Sequence, residues 1–89
     1  MIKLMIKSKD EYSNYVLEDN NNKKYEVNIN FIDVELPTIG DYIYIPEEVL
    51  KENVSLNYGL IDKSDNVDEE DLILMIRNNN KIYLQRFYG

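Results

Sequence analysis

The fold is decided by two stretches, Tyr15-Val-Leu-Glu-Asp-Asn20-Asn21-Asn22-Lys-Lys-Tyr25-Glu-Val27 and Leu72-Ile-Leu-Met-Ile-Arg77-Asn78-Asn79-Asn80-Lys81-Ile-Tyr83-Leu84. Asparagine tolerates the left-handed backbone that tight hairpin turns require, and its side chain can bond its own backbone locally. Each asparagine triplet is flanked by β-branched and aromatic residues, which suit a pleated, half-buried surface. The two stretches therefore predict two antiparallel hairpins.

The rest of the chain adds further strands and one short helix. Near the start, Ile2, Leu4 and Ile6 alternate with other residues and predict a strand with one apolar face. Pro46–Glu52 is the helix candidate, because proline suits a first turn and glutamates there complement the helix dipole. Strands are predicted over 1–7, 12–19, 24–32, 41–45, 55–62, 72–76 and 81–88, and 63–71 is predicted as an acidic loop.

This series of short strands predicts a single domain over residues 1–89, mainly β, built as a small antiparallel β-barrel with one short helix. Barrels remove the exposed strand edges that would otherwise pair with other chains. We expect a partly open barrel, OB-like or SH3-like, and the helix before the later strands slightly favours the OB type. The predicted series of strands is compatible with the strand order of either barrel type.

Charge is unevenly distributed along this acidic chain, whose net charge is −7. Residues 33–71 hold twelve acids against Lys51 and Lys63. Phosphate-backbone binding depends on lysine and arginine displacing counterions, so the composition argues against nucleic acid as a partner. Five basic residues lie towards the two ends of the sequence: Lys3, Lys7, Arg77, Lys81 and Arg86. Their clustering beside Tyr83 would revive an oligonucleotide role.

Two observations bear on location. The chain has no cysteine, so no disulfide holds the fold. No apolar run approaches the roughly 18–20 residues that a membrane span needs, and the lysines within Met1–Lys7 interrupt any secretory leader. We expect a cytoplasmic protein that does not contact membranes.

Catalytic chemistry has little support in the sequence. Histidine and cysteine are both absent, which removes the usual general base, thiol nucleophile and transition-metal ligands. None of the serines lies in a Gly-x-Ser-x-Gly setting, and the three glycines form no phosphate-binding loop. We therefore expect a protein that is not an enzyme and uses no cofactor.

The acidic run from Asp62 to Asp71 suggests a calcium loop, because Ca²⁺ takes oxygen ligands at alternating positions. An EF-hand loop beginning at Asp62 would need glycine where Val67 stands and glutamate where Ile73 stands. A cation cage of another kind stays open. We expect no metal, and interpret the run as a solvated loop or as a capping turn in which Asp68 accepts backbone N–H groups.

Eight tyrosines without tryptophan are the second notable feature. Tyrosine offers a rigid apolar body with a polar tip, and interfaces are enriched in it. Because Ile43 and Ile45 alternate with Tyr42 and Tyr44, the two phenols should project together from the outer face, and Tyr83 should do the same. The competing interpretation is that these tyrosines are ordinary strand formers lying flat on the sheet.

The leading functional hypothesis is a non-catalytic module that docks a protein through this tyrosine-bearing sheet face, rimmed by acids. The predicted binding residues are Tyr42, Tyr44, Tyr83, Asp65, Asp68, Glu69 and Glu70. The first alternative is an acidic inhibitor, either a nucleic-acid mimic or an immunity-type protein, that occupies a basic cleft. The second is an OB-type binder of oligonucleotides or oligosaccharides. We expect a monomer or a homodimer, the latter through an unpaired edge strand.

Overall fold

The computed structural model describes residues 1–62 and 64–88, which contain seven strands and two short helical turns. The strands are β1 (Ile2–Lys9), β2 (Asn14–Glu18), β3 (Lys24–Ile32), β4 (Tyr42–Ile45), β5 (Leu56–Leu60), β6 (Leu72–Arg77) and β7 (Asn80–Arg86). The helix α1 covers Glu47–Leu50, and a 3₁₀ turn covers Glu69–Asp71. Lys63, with which the predicted acidic loop begins, and Gly89 lie outside the described residues.

The strands form one closed ring in the order β1-β2-β3-β5-β7-β6-β4. β4 closes this ring on β1, where Ile2 lies opposite Ile45 and Met5 lies opposite Tyr42. The prediction of a mainly β barrel with one short helix is confirmed. The ring is closed rather than partly open, and its seven described strands exceed the five of an OB barrel.

Closure has a consequence for self-association. Every described strand is hydrogen-bonded to a neighbour on both sides, so these strands leave no free edge. Dimerisation through an unpaired edge strand, which the sequence left open, has no site in this part of the chain.

One pair of strands departs from the antiparallel pattern that the sequence predicts. β3 and β5 run parallel, with Ile29 opposite Leu56 and Phe31 opposite Tyr58. A parallel pair needs a long crossover connection. Residues 33–55 supply it, and they contain both β4 and α1. The barrel is therefore mixed, and the prediction that it is antiparallel fails at this one pair of strands.

The core fills the barrel with side chains that alternate along the strands. Tyr58 is fully buried, and Tyr15 meets Phe31 edge-on with ring centroids 5.7 Å apart. Val49 of α1 is 1% exposed and covers one end of the core. The described residues include no buried charged residue. The buried set is Leu4, Ile6, Tyr15, Leu17, Val27, Ile29, Ile43, Ile45, Val49, Leu56, Tyr58, Ile73, Met75 and Leu84.

The two asparagine turns differ in shape. Asn78 and Asn79 both have positive φ, 48° and 67°, as a two-residue turn with a mirror-image twist requires. In the first hairpin Asn22 alone of its triplet has positive φ, and the carboxylate of Asp19 accepts the backbone N–H groups of Asn21 and Lys23. The predicted left-handed asparagines are thus confirmed, and the first turn is wider because Asp19 caps it.

Helices contribute little to this fold. α1 is a single turn, preceded by Pro46 with a φ of −59°. No helix among the described residues has the length and the apolar character needed to cross a bilayer.

Candidate functional site

β4 presents its two tyrosines on the outside of the barrel. Ile43 and Ile45 are fully buried in the core, whereas Tyr42 and Tyr44 stay partly exposed on the opposite face of the strand. Since successive side chains of a strand point to opposite faces, the buried isoleucines fix where the phenols point. The structure therefore places both rings where the alternation predicts them.

The register of the neighbouring strands extends this surface in two rows. In the first row Tyr44 lies between Lys3 of β1 and Leu74 of β6, and Leu74 lies opposite Tyr83 of β7. Tyr83 therefore joins Tyr42 and Tyr44 on one outer surface, separated from Tyr44 by a single strand.

The second row runs beside the first. Tyr42 lies between Met5 of β1 and Ile76 of β6, and Ile76 lies opposite Lys81 of β7. Leu72 lies on the same outer side of β6, at its beginning. We call the partly exposed apolar and aromatic members of this surface the tyrosine face: Met5, Tyr42, Tyr44, Leu72, Leu74, Ile76 and Tyr83.

The centre of the tyrosine face is aliphatic, which the usual alternation of apolar and polar residues does not predict. β6 buries Ile73 and Met75 completely and presents Leu72, Leu74 and Ile76 outwards. An antiparallel strand with one face in solvent normally alternates apolar and polar residues. The signal that could have found this surface is the uninterrupted apolar run Leu72–Ile76, which fits a strand that is apolar on both faces.

Two lysines stand at the borders of the tyrosine face. The ammonium nitrogen of Lys3 lies 4.4 Å from the centroid of the Tyr42 ring, within the range of a cation–π contact. Lys81 is exposed on β7 opposite Ile76. No ion pair in residues 1–62 and 64–88 involves either lysine.

The arginines are placed differently. Arg77 pairs with Glu35 at 2.9 Å and with Asp41 at 3.3 Å, and it donates to the backbone carbonyls of Glu35 and Leu36. Arg86 donates to the Glu52 carboxylate at 3.0 Å. Both guanidinium groups are therefore occupied by acids of the same chain. An oligonucleotide role would be supported if the five basic residues near the chain ends clustered together. The register brings two of them, Lys3 and Lys81, to the tyrosine face.

The predicted acidic residues lie at one end of the barrel rather than along the borders of the tyrosine face. Asp68, Glu69 and Glu70 line a groove with Glu47 and Glu48, next to the chain's first two residues. The amino-terminal nitrogen lies 3.7 Å from the Glu69 carboxylate. This grouping follows from the 3₁₀ turn, which brings the acids to the beginning of β6 while β4 ends beside it.

Two details of the acidic segment differ from the sequence interpretation. The Asp68 carboxylate forms no capping hydrogen bond, and the Asp68 backbone carbonyl accepts the N–H of Asp71 instead. Asp65 does not line the acidic groove, and its backbone N–H donates to the carbonyl of Asp62. The described residues contain no group of three or more carboxylates positioned to hold a metal ion.

A polar groove lies beside β2 and β3, and Asp10, Asn14 and Asn28 in its lining take part in a hydrogen-bond network. The carboxylate of Asp10 accepts the backbone N–H groups of Tyr12 and Asn14 and the Asn14 amide. Asn28 donates to the Tyr12 carbonyl and to the Asn14 side chain. These bonds, led by those from Asn14, lower the pKa of Asp10. They stabilise the loop before β2 and leave these groups engaged within the protein.

Among the described residues, one buried side-chain polar atom lacks a hydrogen-bond partner. The phenol oxygen of Tyr58 lies inside the barrel without a hydrogen bond to any described residue, and burial raises the pKa of this phenol strongly. Burial likewise raises the pKa of Tyr15. A buried phenol that stays protonated at all physiological pH values is a core residue and offers no acid–base chemistry.

Comparison of the chain with family models, with curated proteins and with solved structures found no match.

Proposed function

We propose that this protein is a non-catalytic binding module that docks a protein partner through the tyrosine face. The observation that carries the proposal is the outer surface of β6, where Leu72, Leu74 and Ile76 lie between the tyrosines of β4 and β7. These three aliphatic side chains are partly exposed on the outside of a small barrel, and covering them is favourable because apolar surface gains free energy on burial. A partner surface would provide that burial.

The composition of the tyrosine face supports a protein partner. Tyrosine and methionine are enriched in the centres of protein interfaces, and charged residues are depleted there. Tyr42, Tyr44 and Tyr83 surround the aliphatic centre, and the charged residues Lys3 and Lys81 stand at its borders. An apolar centre with charges at its edge is the general plan of a docking surface.

The same composition favours protein over an oligonucleotide. Single-stranded nucleic acids need stacking platforms within a positively charged groove. The rings are present, but the outward side chains of β6, the strand between them, are aliphatic. The chain also carries a net charge of −7. We therefore place the oligonucleotide and oligosaccharide role below protein docking.

The test compares two variants that remove tyrosines from different surfaces. Tyr42→Ala with Tyr44→Ala removes the rings of the tyrosine face, and Tyr12→Ala removes a ring that is 72% exposed elsewhere. Each tagged protein is used to capture partners from cells that express the native chain. We expect one partner that the wild type and Tyr12→Ala retain and the double variant loses, while circular dichroism shows that all three proteins fold.

Retention of the partner by the double variant would contradict the proposal, and unfolding of the double variant would require a second variant. If the folded double variant retained the same partner, the tyrosine face would not be the docking site. If the double variant unfolded, the rings would be structural; Leu74→Ser, which changes one outward side chain and no ring, then tests the surface separately.

A second function has one specific observation in its favour. Glu47, Glu48, Asp68, Glu69 and Glu70 share one end of the barrel, and such a concentration of carboxylates can imitate phosphates in a basic cleft. An inhibitor of this kind should lose its partner steeply as salt rises, because exposed charge attraction is screened. Glu69→Gln with Glu70→Gln should then abolish capture, whereas loss of Tyr42 and Tyr44 should not.

A further inference from the structure

The tyrosine face has a lysine on each of its long sides, and on the β1 side Glu18 of β2 lies opposite Met5. Lys3 belongs to β1 and Lys81 to β7, and these two strands enclose β4 and β6. Neighbouring strands lie about 4.8 Å apart, so β1 and β7 are separated by about 14 Å measured around the barrel. The seven members of the tyrosine face lie between them or beside them, and lysine stems are long enough to reach forward from both sides.

These lysines are available to a partner. Among the residues that the structure describes, neither forms an ion pair, and Lys3 instead lies over the ring of Tyr42. Arg77 and Arg86 differ from these lysines, because their guanidinium groups are paired with Glu35, Asp41 and Glu52.

From this placement we infer that the partner covers the tyrosine face with an apolar segment flanked by carboxylates, which lie against Lys3 and Lys81. This inference rests on the proposed docking function and specifies the chemistry of the partner. Apolar contact with the aliphatic centre supplies most of the affinity, and the two charge contacts select which segment binds and in what orientation.

Self-association is a poorer explanation of the same surface. Closed dimers use the same patch on both subunits, so two tyrosine faces would bring both copies of Lys3 and Lys81 to the border of one interface. Like charges across an interface disfavour binding. A segment rich in carboxylates meets the same border with opposite charge.

The experiment selects peptides from a random display library of 16-residue segments, with the full chain immobilised. Three proteins are compared: the wild type, Lys3→Glu with Lys81→Glu, and the control Lys24→Glu with Lys51→Glu. The control changes the net charge equally at two exposed lysines outside the tyrosine face. We expect the wild type and the control to enrich apolar peptides with flanking aspartate or glutamate.

The binding constants of the enriched peptides then test whether their carboxylates lie against Lys3 and Lys81. Two exposed charge contacts are together worth about a tenfold change in affinity, so the Lys3→Glu, Lys81→Glu variant should bind the acidic peptides about tenfold more weakly than the control. Enrichment of neutral or basic peptides that still need Tyr42 and Tyr44 would overturn the inference and leave the docking function standing.

The remaining outcomes also decide between proposals. Enriched peptides that bind the Tyr42→Ala, Tyr44→Ala variant equally well would overturn the docking function itself. A wild-type chain that sediments as a dimer, and becomes a monomer when Leu74 is changed to serine, would assign the tyrosine face to a second copy and overturn the inference. Labelled single-stranded oligonucleotides that bind through the same residues, more tightly than any peptide, would overturn it as well.

Discussion

Lys3 on β1 and Tyr42 on β4 are joined across the outer surface, with the ammonium nitrogen 4.4 Å from the ring centroid. The two residues are not direct register partners, because Lys3 lies opposite Tyr44 and Met5 lies opposite Tyr42. The contact is therefore diagonal. It helps to hold together the two strands whose pairing closes the barrel.

This diagonal contact predicts a measurable coupling. A cation–π contact at an exposed site contributes about 0.5–1 kcal/mol to the free energy of unfolding. In a double-mutant cycle with Lys3→Gln and Tyr42→Leu, measured by urea unfolding, we expect a coupling near the lower value. The matched cycle with Lys81→Gln should show none, since β6 separates Lys81 from β4. Equal coupling in both cycles would mean that the effect is not local.

The alternation along β4 and β6 makes a second prediction. Ile43 is fully buried, so Ile43→Ala should lower the free energy of unfolding by about 2–5 kcal/mol. Leu74 is on the outer surface, and Leu74→Ala should cost about 1 kcal/mol or less, since less apolar surface is withdrawn from water there. Urea denaturation of both variants measures the difference. A loss at Leu74 as large as that at Ile43 would show that the tyrosine face is a second structural core.

Local sequence patterns predicted those parts of the structure that depend on one strand. The alternation of Ile43 and Ile45 with Tyr42 and Tyr44 was sufficient to orient β4, because a strand has a period of two wherever it is placed. Asn78 and Asn79 likewise identify the turn in which they lie, because asparagine tolerates positive φ. These features need no knowledge of which strands are neighbours.

The features that the sequence did not reveal depend on contacts between distant strands. The positions of Lys3 and Lys81 beside the tyrosines follow from pairing across β1, β4, β6 and β7, which no local pattern specifies. The parallel pairing of β3 with β5 is of the same kind. The acids at 68–70 were expected to rim the tyrosine face, and their position at the barrel's end is set by the 3₁₀ turn that precedes β6.

The unpartnered phenol of Tyr58 predicts an unusual response to a conservative substitution. Burying a hydroxyl without a hydrogen bond costs about 1–3 kcal/mol, and Tyr58→Phe removes that cost while keeping the ring. We expect a free energy of unfolding equal to or above that of the wild type, in contrast to a loss of about 3–5 kcal/mol for Tyr58→Ala. Thermal and urea unfolding both measure this change in the free energy of unfolding. A loss above about 1 kcal/mol for Tyr58→Phe would show that the hydroxyl has a hydrogen-bonding partner in solution.

Arg77 should be difficult to replace. Its guanidinium joins β6 to the connection before β4 through Asp41, Glu35 and the carbonyl of Leu36, and its side chain is 13% exposed. Lysine cannot reproduce a planar set of donors, so Arg77→Lys and Arg77→Ala should both destabilise, each by about 1–3 kcal/mol. Lys81→Ala, at an exposed position on the neighbouring strand, should have little effect. Full stability of Arg77→Lys would mean that only the positive charge is needed.

The two caps at the ends of the first hairpin predict the response to acid. Hydrogen bonds to the charged carboxylates lower the pKa of Asp10, chiefly through Asn14, and the pKa of Asp19, chiefly through the N–H of Lys23. Because these folded pKa values lie below the ordinary aspartate value of 3.8, the contribution to stability is complete above that value and is lost as the pH falls through the folded pKa values. Stability measured by urea unfolding should therefore be level near neutrality and decline below about pH 4.

A neutral isostere isolates the part of this decline that belongs to one cap. Asp19→Asn keeps an oxygen that can accept the N–H groups of Asn21 and Lys23 but does not titrate. The variant should be less stable than the wild type at pH 7, and the two should converge as the pH falls through the folded pKa of Asp19 and the wild-type carboxylate takes up a proton. Asp65→Asn, at a carboxylate that accepts no hydrogen bond from the described residues, should follow the wild-type curve. If Asp19→Asn followed it too, the cap would contribute nothing to the acid response.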